Sequence, residues 1–339
     1  MSTQKYKLYL EMSGQVLRGL RVSTGNGGSV IEDFRELSSE NPAELGAAVE
    51  EMARTKGGAY TRATCGIYPS DRLLRQVSIK EAAKPVDQAV MEEILTGQFR
   101  INPREYVLAA LNAEDGQPVV PGRLYKDLFF CGAPRSQVKS AQDILVEAGV
   151  YPLRLELTSA STLGMLLSWA KVEEFQDAVL VLELSAENSH SFILNGGRVD
   201  FARPMPLGLN SMISGVREEL GLKDDESARR LFFSDSFDFT EMGPRLIERM
   251  LRELQSSIGL YEVKTGQSVG RVVCTLLPDK LSWLTRTFAR CLGMTAWQPD
   301  FTRQLAAMSV KVNEQTISRE VDSSMLGLLS LMHNEEVPS

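Results

Sequence analysis

The chain is poor in the side chains that hold metals and move protons. It has 2 His and 4 Cys among 339 residues. The cysteines (Cys65, Cys131, Cys274, Cys291) stand far apart with no Cys-x-x-Cys spacing, which excludes a structural zinc site. Reduced thiols are expected, with Cys131 and Cys274 as inert residues of apolar strands. His190 falls in a strand with no triad partner in view and reads as a packed histidine. No apolar run reaches the ~18 residues that a membrane-spanning helix needs, and the polar start MSTQKYK lacks the apolar stretch of a signal peptide. Positive charge is also scarce, with 37 Lys plus Arg against 44 Asp plus Glu. A nucleic-acid surface needs clustered Lys and Arg, so nucleic acid is not an expected partner. What is present, 43% hydrophobic and 24% charged residues, is the make-up of a cytoplasmic globular protein with roughly two or three domains.

Two stretches set the organisation. KLYLEM and VLRGLRV flank Ser13-Gly14-Gln15 and read as a hairpin. The run Ala178–Leu184 (AVLVLEL) is continuously apolar, as in a strand buried on both faces, and turns through 185–188 into SHSFIL. Asn195-Gly196-Gly197 then makes a hairpin turn into RVDFARPMP. Each half of the chain therefore opens with a strand, a polar turn and a strand. Between them, residues 41–56 read as a helix capped by Asn41, with Pro42 at its first position and Gly57-Gly58 as its stop. Strands are expected around 61–68, over EYVLAAL, over KDLFFCGA and over RVVCTLL. Helices are expected at 86–96, 136–148, 245–261 and 280–292. Met325–Met332 is short and is followed by His333, Glu335 and Glu336 instead of basic residues, so it reads as a docked core helix with no direct membrane insertion.

The ordered set resembles the PilM family of type IV pilus assembly proteins, FtsA-like members of the actin-like ATPase superfamily. The resemblance runs nearly end to end, through LEMSGQVLRGLRV, the insert ILTGQFRINPREYVLAAL, VLELSAENSHSFILNGGRVDFARPMPLG, GLKDDESARRL, KLSWLTRTFARCLGM and MLGLLSLM. It implies an α/β, actin-like duplicated fold with two lobes around a cleft and a PilM-type insert. The implied subdomains are 1–78 with 150–176, the insert 79–149, 177–220 with 268–339, and 221–267.

In that superfamily two hairpins grip nucleotide phosphates, with a carboxylate on each side managing Mg²⁺ and water. The resemblance maps the carboxylates onto Glu11, Glu156 and Glu183, and the phosphate loops onto Ser13, Gly14 and Gln15 and onto Ser185, Ala186, Asn188 and Ser189. The second loop carries Ser185 where the pattern has glycine. The adenosine turn maps onto Leu276-Leu277-Pro278, whose branched side chains and missing N–H oppose a purine, and a frequent lysine maps onto Phe232. The implied reading is a pseudo-ATPase scaffold that requires no cofactor and holds ATP and Mg²⁺ weakly if at all. Its implied partner is the N-terminal tail of a PilN-like bitopic membrane protein, through which it would sit beside the inner membrane in a pilus assembly complex. The tail would lie between the insert and the first lobe, against Leu74, Gln76, Val77, Ile79, Tyr106, Val107 and Leu108, while residues 114–122 read as a surface turn. The alternatives are an active actin-like ATPase, FtsA-like or sugar-kinase-like, and a GspL-like type II secretion component. FtsA-type self-association is compatible with the same fold.

Overall fold

A computed structural model describes residues 6–14, 16–25, 28–38, 41–54, 60–79, 85–234, 236–317 and 320–336. The first half supplies β1 (Lys7–Ser13), β2 (Val16–Gly25), β3 (Gly28–Ser38), β4 (Thr61–Ile67), β5 (Leu73–Ser78), β6 (Tyr106–Asn112), β7 (Asp127–Pro134) and β8 (Val150–Leu157). The second supplies β9 (Ala178–Leu184), β10 (Ser189–Asn195), β11 (Arg198–Met205), β12 (Val269–Thr275), β13 (Thr295–Ala296) and β14 (Val310–Val312).

These strands form a sheet of order β14-β3-β2-β1-β4-β8 and a second of order β11-β10-β9-β12-β13. Leaving out β14, the two are alike. Each has three antiparallel strands joined in sequence, and its first strand pairs in parallel with the fourth, which pairs in parallel with the fifth. The paired hairpins read in the sequence are thus the visible part of a duplicated sheet. β9 is buried at all seven positions, as its unbroken apolar run requires. Gly196 and Gly197 both take positive φ in the β10–β11 turn, the conformation a two-residue hairpin turn asks for.

Each sheet is covered on its outer face by its own helices. Pro42–Ala53 and Arg135–Glu147 pack on the first sheet through Leu45, Val49, Met52 and Leu145. Ile213–Leu220, Glu248–Thr265 and Trp283–Leu292 pack on the second through Val216, Leu254 and Phe288. The Asn41 side chain accepts hydrogen bonds from the amides of Ala43 and Glu44, capping its helix as expected. The helix ends on left-handed Arg54, and the expected stop Gly57-Gly58 lies outside the described residues. The long helix begins at Glu248, because Pro244 sits in a separate turn, Gly243–Leu246.

Between the sheets lie two helices, Thr158–Val172 and Leu326–Glu336, in one core that takes Tyr9 and Leu20 from the first sheet and Val179, Val181 and Phe192 from the second. Met325, Leu326, Leu328, Leu329, Leu331 and Met332 are all buried. A helix apolar around most of its circumference needs cover on every side, and only the space between two sheets gives it. The docked helix is as expected, but its place corrects the division of 268–339 wholly to the second half. β14 pairs with β3, and helix Leu326–Glu336 lies on β1 and β4. The insert is a separate antiparallel sheet, β5-β7-β6, with Leu128 and Phe130 packed on Val86, Ile94 and Leu95. The sheets and their outer helices are called the first and second lobes below.

Candidate functional site

β1 and β9 occupy equivalent central places in their sheets, and each carries its candidate carboxylate near its C-terminal end, where the lobes face one another. Glu11 is 2% exposed. Its carboxyl is hydrogen-bonded by Tyr68 and covered by Gly327, where a Cβ would overlap it. Burial is the main cause that pushes Glu11 up to about 7, against the smaller lowering by Tyr68 and Arg18. Tyr68 is itself partly buried and held well above the usual phenol range, first by burial and then by Glu11 and Glu183.

Glu183 is also 2% exposed, but its charge is met. The Arg72 Nε donates to Glu183 Oε1 at 3.0 Å, and Nη2 donates to the same oxygen. The two side chains are only 1% and 3% exposed, and the remaining Arg72 arm donates to the Pro69 carbonyl at 2.9 Å. His190 is packed as expected, 3% exposed, with Nδ1 3.8 Å from Glu183 Oε1 and its ring stacked on Phe192. Burial, then Arg72, lowers His190 to about 4, so the ring is neutral beside the ion pair. Arg72 lies in the turn between β4 and β5, and no local pattern marks it in YPSDRLLRQ.

The phosphate-loop candidates are largely bonded to the protein itself. The Ser185 amide and hydroxyl both donate to the Asn188 carbonyl, and Asn188 Nδ2 donates across the cleft to the Ser70 carbonyl at 3.2 Å. The Ala186 carbonyl accepts from the Asn210 amide, and Gly208 lies so close that a Cβ would overlap the Ala186 carbonyl. Ser189 is fully buried and donates to the Leu207 carbonyl. Ser13 ends β1 and Gly14 takes φ +60 in the turn, while Gln15 lies outside the described residues. Leu276 takes φ +58, a left-handed backbone that glycine adopts freely and leucine does not. Phe232 is fully buried, with the rings of Phe239 and the partly buried Trp283 5.5 and 6.3 Å from it. Among the described residues, no cluster of three or more His, Cys, Asp or Glu is placed to hold a metal ion.

Glu156 sits apart from this centre. It accepts from Ser161 at 2.8 Å and Asn334 at 3.1 Å and pairs with Arg154. It thereby ties β8 to both interlobe helices, on the wall of a groove of about 690 Å³. One side of that groove is β6 and β7 of the insert (Val107, Leu108, Leu111, Phe129, Cys131), and the other is β8 and helix Thr158–Val172 (Arg154, Leu155, Leu157, Gly164, Leu167). β6 and β8 are the end strands of their sheets, so the groove runs between two strand edges. Part of the β6 edge is already used, since the Val119 amide donates to Ala110 and the Asn112 amide to Gln117.

Val107 and Leu108 therefore line the groove, but Leu74, Gln76, Val77, Ile79 and Tyr106 do not. β5 pairs with β7 on one side and lies against β11 on the other, and Leu73, Val77 and Ile79 pack into the insert's own core. Leu74 is 1% exposed and, with Tyr106, borders a second cavity, of about 450 Å³, next to Arg72 and His190. Residues 114–122 are not only a surface turn, because Asp115 and Gly116 reach the groove rim. Cys131 lines the groove as well, and burial pushes its thiol up to about 11, which leaves it unreactive. The β8 and helix residues escape sequence reading because each is an ordinary core or edge residue until the insert is set opposite them.

No family model and no curated protein matches the sequence. Among solved structures the chain is similar to one of a PilM-PilN type IV pilus biogenesis complex, at 18% identity and a TM-score of 0.69, over 98% of this chain and 99% of that one. It also overlaps the ethanolamine utilization protein EutJ from Carboxydothermus hydrogenoformans at 11% identity and a TM-score of 0.48, over 96% of this chain and 88% of that one. The duplicated sheets, the insert and the full-length overlap together give this chain the actin-like α/β fold in the arrangement seen for PilM.

Proposed function

We propose that the protein is a cytoplasmic, PilM-like scaffold of a type IV pilus or pilus-like assembly, and that the groove holds the N-terminal tail of a PilN-like inner-membrane protein. The observation that carries this reading is the groove itself, which joins an apolar floor to two sheet edges. An extended peptide bonds to a strand edge through its main chain and sets its alternate side chains in pockets. None of the described helices is long and apolar enough to cross a membrane, so a membrane-bound partner is a natural tether.

Gly164 gives a clean test. It lies on the groove wall in a helix, is exposed, and a Cβ added there would meet nothing closer than Asn334 Oδ1 at 3.9 Å. Gly164→Leu is expected to raise helix stability by up to about 1 kcal/mol while filling the groove. A synthetic tail of the PilN-like partner should then bind at least tenfold more weakly by fluorescence anisotropy. Unchanged affinity in the folded variant would rule out the groove as the tail site.

The nucleotide site is, in this reading, degenerate. Mg²⁺ needs carboxylate charge, and Glu183 already has Arg72 while Glu11 is buried and largely neutral below about pH 7. The Leu276 turn keeps a glycine-like backbone but adds a branched side chain. Calorimetric titration with Mg-ATP is expected to give no binding heat up to millimolar nucleotide. Micromolar binding that Glu183→Ala weakens would replace the scaffold with a nucleotide-binding protein.

A further inference from the structure

We propose that Arg72 and Glu183 form an interlobe latch, a conformational device that holds the cleft closed at its carboxylate end, away from the apolar core that the two lobes share. Arg72 belongs to the turn that leaves β4 of the first lobe, and Glu183 to β9, the central strand of the second. The guanidinium reaches across with two donors on one carboxylate oxygen, and both partners are almost wholly shielded from water. Beside it, Asn188 of the second lobe donates to the Ser70 carbonyl of the first.

A buried ion pair is a poor source of stability compared with apolar packing, but it makes a sharp two-position device. Half-open arrangements leave two unpaired charges in a dry site, so the pair is either made or fully parted. The cavity of about 450 Å³ that borders Arg72 and His190 supplies the second position, since it gives the guanidinium room to withdraw. The latch is also joined to the insert. Leu73, the next residue, begins β5, which pairs with β7, and β7 carries Phe129 and Cys131 to the groove on the far side. Parting the latch therefore moves a strand whose neighbour forms the groove wall. The latch does not depend on what the groove binds.

The test uses spin labels on the full chain at Glu44→Cys, exposed on helix Pro42–Ala53 of the first lobe, and Glu226→Cys, exposed on helix Asp225–Phe232, which packs on the second lobe through Ala228 and Phe232, with Cys131→Ser and Cys291→Ser. With the latch intact, pulsed dipolar spectroscopy is expected to show one narrow distance that millimolar Mg-ATP leaves unchanged. Arg72→Gln, which strands the buried Glu183 charge, should add a longer distance in at least a tenth of the molecules, and the charge-free pair Arg72→Met with Glu183→Leu should return the single narrow distance. Folded Arg72→Gln that keeps the single narrow distance overturns the latch. So does a shift of the distance by Mg-ATP in the chain with its latch intact, an arm that needs no variant to fold.

Discussion

Replacing Arg72 with alanine is expected to cost about 3–5 kcal/mol at neutral pH, because the change leaves Glu183 charged, buried and without its partner. Glu183→Leu alone should cost a similar amount by stranding the guanidinium. The pair Arg72→Met with Glu183→Leu should recover most of the loss, since neither a charge nor an unmet donor is left. Urea unfolding of the four proteins forms a double-mutant cycle whose coupling energy measures the pair. His190 adds a signature of its own. Its proton is opposed first by burial and then by Arg72, and favoured by Glu183. Removing Arg72 lets the imidazole take the proton and partly stand in for the guanidinium, so the loss in Arg72→Ala should be smaller at pH 5 than at pH 8. A loss that is equal at both pH values would mean that His190 does not sense the pair.

Glu11→Gln should act in the opposite direction. The carboxyl has an ordinary value of 4.5 and rises to about 7 in the folded protein. Below 4.5 the folded and unfolded chains are both protonated there and the residue has no pH-dependent effect. As pH climbs from 4.5 to about 7, the unfolded chain ionises while the folded one keeps its proton, so stability declines by about 1.4 kcal/mol per unit. The accumulated loss is about 3 kcal/mol, and it is constant at higher pH. The amide keeps the shape and cannot ionise. The variant should match the parent near pH 4 and exceed it at pH 8 by up to about 3 kcal/mol in urea unfolding. Parallel pH profiles for the two proteins would show that Glu11 ionises in the fold as freely as in the unfolded chain.

What the sequence discloses about this molecule is local. The β1–β2 and β9–β10–β11 turns, the Asn41 cap and the helix expected over 245–261 depend on residues a few positions apart, and they were readable. The duplication was readable because both copies begin with the same strand–turn–strand. The centre of the site was only half readable. Resemblance pointed to Glu11 and Glu183, but the group that answers Glu183 lies 111 positions away, in a turn with no pattern of its own. The lining of the groove was only partly readable. Val107 and Leu108 face it, yet strand 73–78 does not, because it lies beyond β7, against β11, with Leu73 and Val77 in the insert's own core. An alternation rule gives a strand two faces and cannot say which face another part of the chain will claim.

The helix Leu326–Glu336 and the strand β14 also bear on how the protein comes to be made. The carboxyl of Glu11 is covered by Gly327, and the β3 edge is closed by residues 310–312. During synthesis the first sheet is thus left open over β1 and along β3 while about three hundred further residues are added. The second sheet draws all its strands from 178–296 and can close on the ribosome before the first does. The half that is translated first is then the half that matures last, and until it does its apolar interior is the surface a chaperone would meet.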